Sequence, residues 1–308
     1  MPTVGDAVTR TKRLLNSNTR TELDAIHTTI TAAATTIRLK YQTDGIRAGS
    51  YISVGDGTNP YETMYVHARN GEYATVQRGV DGSAGYTWGD GTGDTIQATI
   101  EVEPRFTGHQ ILEAVKDAIL AMPNNLYAVN TVEVSFSTTQ QSVTTAFASG
   151  FNQILSATRT ARSGEDRLLA FNVKVQEYDG AYEVIRQEGI EKAVTVNLTY
   201  AHPFATGTLN PGTDLVSTVG MTVEMTDIPA LGAAASLLLG EESLRLDLHS
   251  QGDSRSDAAV AAGDRARYSL VLQAQYDRRV SQEARRLMSK WGIRTGAVTS
   301  SVFPTTVR

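Results

Sequence analysis

The chain has 308 residues, of which 41% are hydrophobic and 20% charged, the composition of a globular protein rather than a disordered or fibrous one. Its net charge of −5 argues against non-specific nucleic-acid binding through a broad basic face. It contains no cysteine, which excludes disulfides, thiolate zinc sites and cysteine nucleophiles.

No membrane partner is expected, because no apolar run approaches the roughly 20 residues that span a bilayer. Residues 1–15 also lack the apolar core of a signal peptide. We therefore expect a protein that is made in the cytoplasm of a cell and is kept there or released by lysis.

The first part of the chain is predicted to form two helical segments, residues 1–35 and 104–125, on either side of a β-module. The first segment contains a short helix from Val4 to Leu15, with apolar residues among basic ones. In the second segment, Thr107 and Gln110 have the spacing of a capping box. Apolar residues recur behind that pair at helical intervals, which predicts a second helix.

Residues 36–103 are predicted to form a small β-barrel-like module. Asn70-Gly71 joins two strands and is the favoured pair for a type I′ turn, which needs φ > 0 at both central residues. The sequence then runs into RGVDGS, from Arg78 to Ser83, and Thr95 to Val102 alternate as a half-buried strand. We interpret the glycine-rich loop as one that closes the module.

The remaining chain is predicted to contain a second β-domain and a helical end. Residues 126–226 alternate apolar and polar side chains over several segments, which indicates a β-sandwich-like domain. Residues 227–292 are predicted to form a helical hairpin, with an alanine-rich buried helix, a polar loop and a long amphipathic helix. Residues 293–308 are predicted to be an extended tail. The predicted fold class is therefore α+β: a helical scaffold (N-terminal helix, central helix and long C-terminal helix pair) that carries two β-rich modules.

The sequence nominates no catalytic, cofactor-binding or metal-ligating residue, so an enzyme is not predicted. It has no P-loop and no G-x-S-x-G elbow, and its five histidines lack metal-ligand spacing. The stretch from Gly89 to Asp94 is rich in glycine. However, it precedes a strand, whereas phosphate-binding loops precede the N-terminus of a helix.

Two segments together carry a resemblance to a known group of proteins. One is the hairpin E-x-M-x-V…V-x-R-G-x-D-G-S and the capped helix behind it; the other is the helical region from Asp227 to Trp291. The hairpin motif consists of Glu62, Met64, Val66, Val76, Arg78, Gly79, Asp81, Gly82 and Ser83. In these segments the chain resembles neck proteins of tailed bacteriophages, the head-to-tail connector or adaptor group of virion proteins.

The resemblance implies a structural virion protein that forms a ring of identical subunits, a dodecamer as in similar adaptors, at the head–tail interface. The implied partners are further copies of the chain, the portal protein above the ring, and a stopper or other neck or tail protein. DNA would pass through the lumen without specific binding. No cofactor is expected, and the protein would be located in the neck of the virion after synthesis in the host cytoplasm.

A closed heterologous ring needs two different complementary faces on each subunit. Residues 241–308 carry 11 Lys and Arg against 8 Asp and Glu, a net +3, which leaves −8 for residues 1–240. The predicted subunit-interface residues are therefore basic residues of the long helix and acidic residues that precede it. The candidates are Arg278, Arg279, Arg285, Arg286, Lys290, Glu241 and Glu242, with Glu224 and Asp227 as further acidic partners.

The tail is predicted to dock on the portal protein and to become ordered there. Its candidate contacts are Arg294, Val298, Val302, Phe303, Val307 and Arg308. Deletion of residues 293–308 should then abolish neck assembly without unfolding the protein. The alternative is a frayed terminus.

Two other function classes remain open at this point. A receptor- or glycan-binding tail protein would use exposed aromatic residues, and five of these cluster in the first β-module: Tyr61, Tyr65, Tyr73, Tyr86 and Trp88. A polysaccharide-degrading enzyme is a further alternative, for which no acid–base pair is nominated. The long C-terminal helix favours the adaptor, because binding modules seldom carry so large a helical element.

Overall fold

The computed structural model describes most of the chain: residues 1–15, 22–93, 96–137, 142–145, 147, 151–160, 168–170, 173–178, 181–187, 193–205, 207, 209–250 and 264–291. It describes only the backbone of residues 159–160, 168–170, 178, 181, 242–250 and 264–265. Two compact units can be distinguished. The first comprises Met1–Met122 and Thr206–Val280, and the second comprises Pro123–Ala205 with the end of the last helix from Ser281.

The described residues form helices and antiparallel strands in both units. The helices are α1 (Val4–Leu15), α2 (Gly108–Leu120), α3 (Ile228–Ser250) and α4 (Asp264–Trp291), with a 3₁₀ helix at Val223–Met225. The first unit contains strands β1 (Glu22–Ala25), β2 (Thr36–Arg38), β3 (Tyr51–Gly55), β4 (Glu62–Asn70), β5 (Tyr73–Val80) and β6 (Thr99–Val102). The second contains β7 (Ala128–Phe136), β8 (Ser142–Thr145), β9 (Gln153–Thr160), β10 (Leu168–Ala170), β11 (Val173–Tyr178), β12 (Ala181–Arg186) and β13 (Val194–His202).

The predicted fold class, a helical scaffold that carries two β-rich modules, is wrong. In the described part of the chain, thirteen strands form sheets of six, four and three strands, against only four α-helices. The sequence pattern overstates the helices because a long amphipathic helix repeats its period over many turns. Strands of three or four residues, such as β2, β8 and β10, repeat theirs once or twice and leave little signal.

The six-stranded sheet of the first unit is closed into a barrel. Its strand order is β1-β6-β3-β4-β5-β2, and every neighbouring pair is antiparallel. The first and last strands are joined by backbone hydrogen bonds from His27 N–H to Arg38 O (2.8 Å) and from Lys40 N–H to Ala25 O (2.9 Å). Closure removes both sheet edges. Since β1 takes part, the barrel begins before residue 36, inside the segment predicted as helical scaffold.

The barrel interior is filled by aliphatic side chains and one tryptophan. Met64 and Val66 of β4 and Val76 of β5 are buried there, as the alternation of the hairpin predicts. Trp88 is fully buried in the same core. The apolar half of the hairpin motif is therefore the core face of the barrel.

The turn between β4 and β5 differs from the predicted type I′ turn. Asn70 pairs with Tyr73, so the two central turn residues are Gly71 and Glu72. Of these two, only Gly71 has a positive φ, of 59°. That pattern belongs to a type II′ turn, in which glycine is needed at the first central position. Asn70 is consequently the last residue of β4.

The helices of the first unit pack around α3. The predicted capping box at the start of α2 is confirmed: Gln110 N–H donates to Thr107 Oγ1 (3.2 Å), and Thr107 N–H donates to Gln110 Oε1 (3.1 Å). α1 and α2 both contact α3. A Cβ on Gly232 of α3 would lie 3.2 Å from the Ala118 Cβ and 3.2 Å from the Tyr276 ring, so glycine permits a close approach of α2, α3 and α4.

The segment from Val223 to Glu241 is long and apolar enough to cross a membrane, and half of it is buried within the structure. The buried side chains of α3 include Ala230, Ala233 and Ala234, on the helix that contacts α1 and α2. This environment is that of a core helix. It agrees with the sequence expectation that the alanine-rich helix is buried.

Tyr61 lies between the barrel and the helices of the first unit. A Cβ on Gly55 or Gly108 would lie 2.4 Å from its ring, so both positions need glycine. Lys12 of α1 places its ammonium group 4.9 Å from the ring centroid and pairs with Glu101 of β6 at 2.6 Å. Burial, followed by the nearby carboxylates of Glu101 and Asp56, raises the pKa of Tyr61 to about 12.

This pKa shift predicts a specific loss of stability in alkali. A tyrosine that ionises at about 12 when folded and at about 10 when unfolded stabilises the fold fully below pH ~10. That contribution is lost between pH ~10 and ~12, by up to about 3 kcal/mol. Urea unfolding at a series of pH values should show this decline in the wild type and a smaller one in Tyr61→Phe, which keeps the ring. Equal pH profiles would contradict the assignment.

The second unit contains two antiparallel sheets around one hydrophobic core. The strand orders are β10-β9-β13-β7 and β11-β12-β8. Both sheets contribute to the core, for example Val196 of β13 and Val184 of β12. Phe147 joins them, since its ring centroid lies 4.7 Å from that of Tyr200 and 5.3 Å from that of Tyr182. Residues 209–226, predicted as part of this domain, belong to the first unit.

Candidate interaction surfaces

The glycine-rich loop after β5 is anchored by a buried ion pair. Arg78 donates from Nε to Glu62 Oε1 (2.6 Å) and from Nη2 to Glu62 Oε2 (2.7 Å), a bidentate pair in which the Glu62 side chain is fully buried. Glu62 also accepts from the backbone N–H groups of Gly79 (3.1 Å) and Tyr86 (3.1 Å) and from Trp88 Nε1 (2.7 Å). Five donors thus converge on one carboxylate.

The same arginine also holds the backbone of a neighbouring loop. Its remaining donors bind the carbonyl oxygens of Thr31 (2.8 Å), Ala34 (3.1 Å) and Tyr86 (2.6 Å). Ser83 closes the motif by accepting from Thr63 N–H (2.9 Å) and donating to Val80 O (2.8 Å). The Glu62 carboxylate and the Arg78 guanidinium have all their partners within the barrel, so the role of this pair is structural rather than chemical.

The left-handed backbone of the loop explains its glycines. Gly79, Asp81 and Gly82 have φ of 63°, 57° and 75°. A Cβ on Gly79 would also lie 3.0 Å from the Ser83 carbonyl oxygen. Glycine is therefore needed at Gly79 for both conformation and space. The polar residues of the hairpin motif therefore hold this loop against the barrel through an ion pair and hydrogen bonds.

The second glycine-rich stretch is organised by Asp90. Its carboxylate accepts from Thr92 N–H (3.0 Å), Thr92 Oγ1–H (2.6 Å) and Thr29 N–H (3.3 Å). Asp94 lies outside the described residues. Across the part of the chain that the structure describes, no three His, Asp or Glu side chains are grouped so as to hold a metal ion.

A further clamp, which the sequence does not predict, holds residues 41–46. The buried Asp24 carboxylate accepts from the N–H groups of Tyr41 (2.8 Å) and Thr43 (2.9 Å). Arg69 donates to the carbonyl oxygens of Gln42 (2.7 Å), Thr43 (2.6 Å) and Ile46 (2.9 Å). Internal hydrogen bonds of Asp24, Glu62, Arg69 and Arg78 therefore fix the loops of the barrel.

One face of α4 is exposed along the helix, and we call it the α4 outer face. It consists of Val271, Ala274, Arg278, Arg285 and Met288, at intervals of three, four or seven residues. Val271 is 51% exposed and Met288 63% exposed. Arg278 and Arg285 are exposed and have no ion-pair partner among the described residues. The opposite face carries buried Leu272, Val280, Ala284 and Leu287.

The structure divides the predicted subunit-interface residues into two groups. Arg279 binds Asp227 through Nε (3.0 Å) and Nη2 (3.1 Å), and Arg286 binds Glu283 at 2.6 Å. Glu241 forms an ion pair with Arg105 within the first unit. These three candidates are thus held within their own units, whereas Arg278 and Arg285 face outward.

The other predicted contacts are placed as follows. The Lys290 ammonium group lies 5.3 Å from the centroid of the Trp291 ring, a cation–π contact at the end of α4. Glu242 lies in α3, and its side chain is outside the described part of the structure. All of the predicted portal contacts, in residues 293–308, fall outside the described residues as well.

α2 presents an exposed face of opposite charge, which we call the α2 outer face. It consists of Glu113, Asp117 and Leu120, which share one side of the helix. Leu120 is 60% exposed. Glu113 pairs with Lys116 at 2.7 Å, while Asp117 has no ion-pair partner among the described residues. The sequence pattern does not single out this face, because its apolar member stands at the end of the helix.

Of the five aromatic residues that the sequence suggests for glycan binding, Tyr73 is 46% exposed and the other four are buried or half-buried. Trp88 is in the core, Tyr61 packs against the helices, and Tyr86 contacts Trp88 with ring centroids 5.8 Å apart. A row on the outside of the barrel includes Tyr65 of that cluster: Tyr51, which is half exposed, lies 5.1 Å from Tyr65 between ring centroids. Tyr65 in turn contacts the exposed His67 at 5.1 Å.

No protein-family model matches the chain, and no curated protein is similar to it. Any assignment of function therefore depends on the residues themselves and on the surfaces that they form.

Proposed function

We propose that the chain is a structural protein of a tailed-phage virion, which forms an adaptor ring at the head–tail interface below the portal protein. The observation that carries this proposal is the α4 outer face. Its apolar Val271, Ala274 and Met288 are interspersed with outward-facing Arg278 and Arg285. Methionine and arginine are enriched in protein–protein interfaces, and exposed apolar side chains in a row mark such contacts.

This composition favours a protein partner over DNA. A DNA-binding helix would present mainly Lys and Arg to the phosphates, and the chain as a whole carries −5. The proposed ring therefore surrounds the passage of the DNA without binding it specifically. In this account the chain has no catalytic role, and its partners are further copies of itself, the portal protein and a stopper or other neck protein.

The locked barrel suits a part that must keep its shape in an assembly. The Glu62–Arg78 network and the Asp24 and Arg69 clamps fix three of its loops by internal hydrogen bonds. A rigid module loses little conformational entropy when it docks on a neighbouring protein. We propose that the barrel is a docking module of the ring subunit.

A second candidate function is a receptor- or glycan-binding protein of the same kind of virion. The observation that favours it is the row formed by Tyr51, Tyr65 and His67 on the outside of the barrel. Sugar rings stack on exposed aromatic side chains of this kind. Binding of the protein to host-cell envelopes, and its loss in Tyr51→Ala, would favour this function over the adaptor.

Assembly with the portal protein of the same virus tests the adaptor proposal. The purified chain is mixed with portal rings and examined by negative-stain electron microscopy. We expect an additional ring layer on one end of the portal, and we expect it to be absent when an unrelated protein of similar size replaces the chain. Portal rings that remain bare at saturating concentrations of the chain would contradict the proposal.

A further inference from the structure

We infer that neighbouring copies of this chain contact each other through two different helices. The α4 outer face of one subunit binds the α2 outer face of the next. This inference rests on the proposed function, because it assigns the two faces by which ring subunits meet. A heterologous ring requires two such faces on every subunit, and the two must differ.

The α4 and α2 outer faces are complementary in charge. On the α4 outer face, Arg278 has no ion-pair partner among the described residues. On the α2 outer face, Asp117 has no such partner either. Each face also exposes apolar surface, at Val271 on α4 and at Leu120 on α2. A second copy of the chain therefore supplies both the opposite charge and the apolar contact that each face lacks.

The acidic residues that sequence analysis assigns to this role are already engaged. Asp227 binds Arg279 and lies 3.7 Å from Arg10, and Glu241 binds Arg105. Their use between subunits would require these ion pairs to break first. Asp117 carries no such cost, which makes α2 the better partner for α4.

The order of residues along the two helices sets their relative direction. Leu120 follows Asp117 by three residues, whereas Ala274 precedes Arg278 by four residues. At 1.5 Å per residue these steps are about 4.5 and 6 Å. When the helices run antiparallel, Asp117 meets Arg278 while Leu120 packs onto the small side chain of Ala274, beside Val271. In a parallel arrangement Leu120 would instead meet Ser281.

Disulfide cross-linking tests this arrangement in the 308-residue chain, which contains no cysteine of its own. The double variant Leu120→Cys/Ala274→Cys is oxidised mildly on portal rings and in free solution, and the products are separated without reductant. We expect a ladder of linked subunits from the double variant. A mixture of the two single variants should give mainly dimers that contain one copy of each.

Two matched pairs serve as controls for position. Leu120→Cys/Ser281→Cys samples the parallel arrangement on the same side of α4. Glu133→Cys/Ala274→Cys replaces the α2 residue with an exposed position on β7 of the second unit. We expect at least tenfold less cross-linking from either control pair.

Four results would overturn the inference. They are cross-linking no stronger than in the controls, a stronger product with Ser281→Cys, efficient dimers of Ala274→Cys alone, and a ladder that appears only after residues 292–308 are removed. The last result would mean that the chain's own tail covers α4. If the chain forms layers on the portal but no ladder of linked subunits, the α2–α4 interface is refuted and the proposed function is not. If the ladder forms but the chain does not bind the portal, the proposed function is contradicted and the interface is not.

Discussion

Replacement of Glu62 by Gln is expected to lower the free energy of unfolding of the barrel by about 3–5 kcal/mol, the usual cost of breaking a buried ion pair. The Arg78 side chain is only 8% exposed, and it would lose its charged partner. The amide group of Gln would also point a donor at N–H groups that now donate to the carboxylate, such as those of Gly79 and Trp88. Such an effect is large relative to the stability of a typical domain.

Tryptophan fluorescence can measure this loss in the barrel alone. The chain has two tryptophans, so a Trp291→Phe background leaves Trp88 in the barrel core as the only one. Urea unfolding is then followed for Glu62→Gln and for the control Glu72→Gln. The control breaks the ion pair Arg38–Glu72, in which both side chains are about one-third exposed.

The surface control should change the urea midpoint by a small fraction of the change in Glu62→Gln. If Glu62→Gln fails to fold in conditions where Glu72→Gln folds, the result also supports the prediction, because it shows a larger loss of stability in Glu62→Gln. Equal midpoints for the two variants would contradict the stabilising role of the Glu62–Arg78 network.

Reversal of charge at Arg278 or at Asp117 is expected to reduce ring assembly on the portal at least tenfold. Arg278→Glu places a carboxylate against Asp117, and Asp117→Arg places a guanidinium against Arg278. Like charges that face each other in an interface cost several kcal/mol. A mixture of the two variants should assemble again, because every contact between unlike subunits restores an opposite-charge pair.

The control for this experiment is Glu133→Arg, which changes the net charge by the same amount as Asp117→Arg on an exposed strand position. It should assemble like the wild type. Circular dichroism confirms that each variant is folded. Full assembly of Arg278→Glu alone, or a mixture no better than its components, would contradict the α2–α4 contact.

Sequence patterns located the elements that repeat their period. The helix from Val4 to Leu15, the capping box of Thr107 and Gln110, and the alternation of Met64 and Val66 are all present. These features depend on neighbours within a few residues, which a sequence displays directly. The RGVDG loop could also be interpreted as a closure, since positive φ at its glycines is a local property.

The features that the sequence did not reveal depend on contacts between distant residues. Glu62 and Arg78 are 16 residues apart, and nothing between them indicates that they form a pair. β1 lies in a segment predicted as helical scaffold, because its pairing with β6, which is far away in the sequence, is what makes it a strand. Likewise, Arg279 looks like a surface residue until α4 packs near Asp227. Each of these pairings can be recognised only in the folded structure.

Immunogold electron microscopy of intact particles, with an antibody against this chain, tests the central proposal most directly. The adaptor account predicts label at the single vertex where head and tail meet. Label at the tail tip or on fibres would contradict that account and favour the receptor-binding alternative. Particles without label at any position would contradict the assignment to a virion altogether.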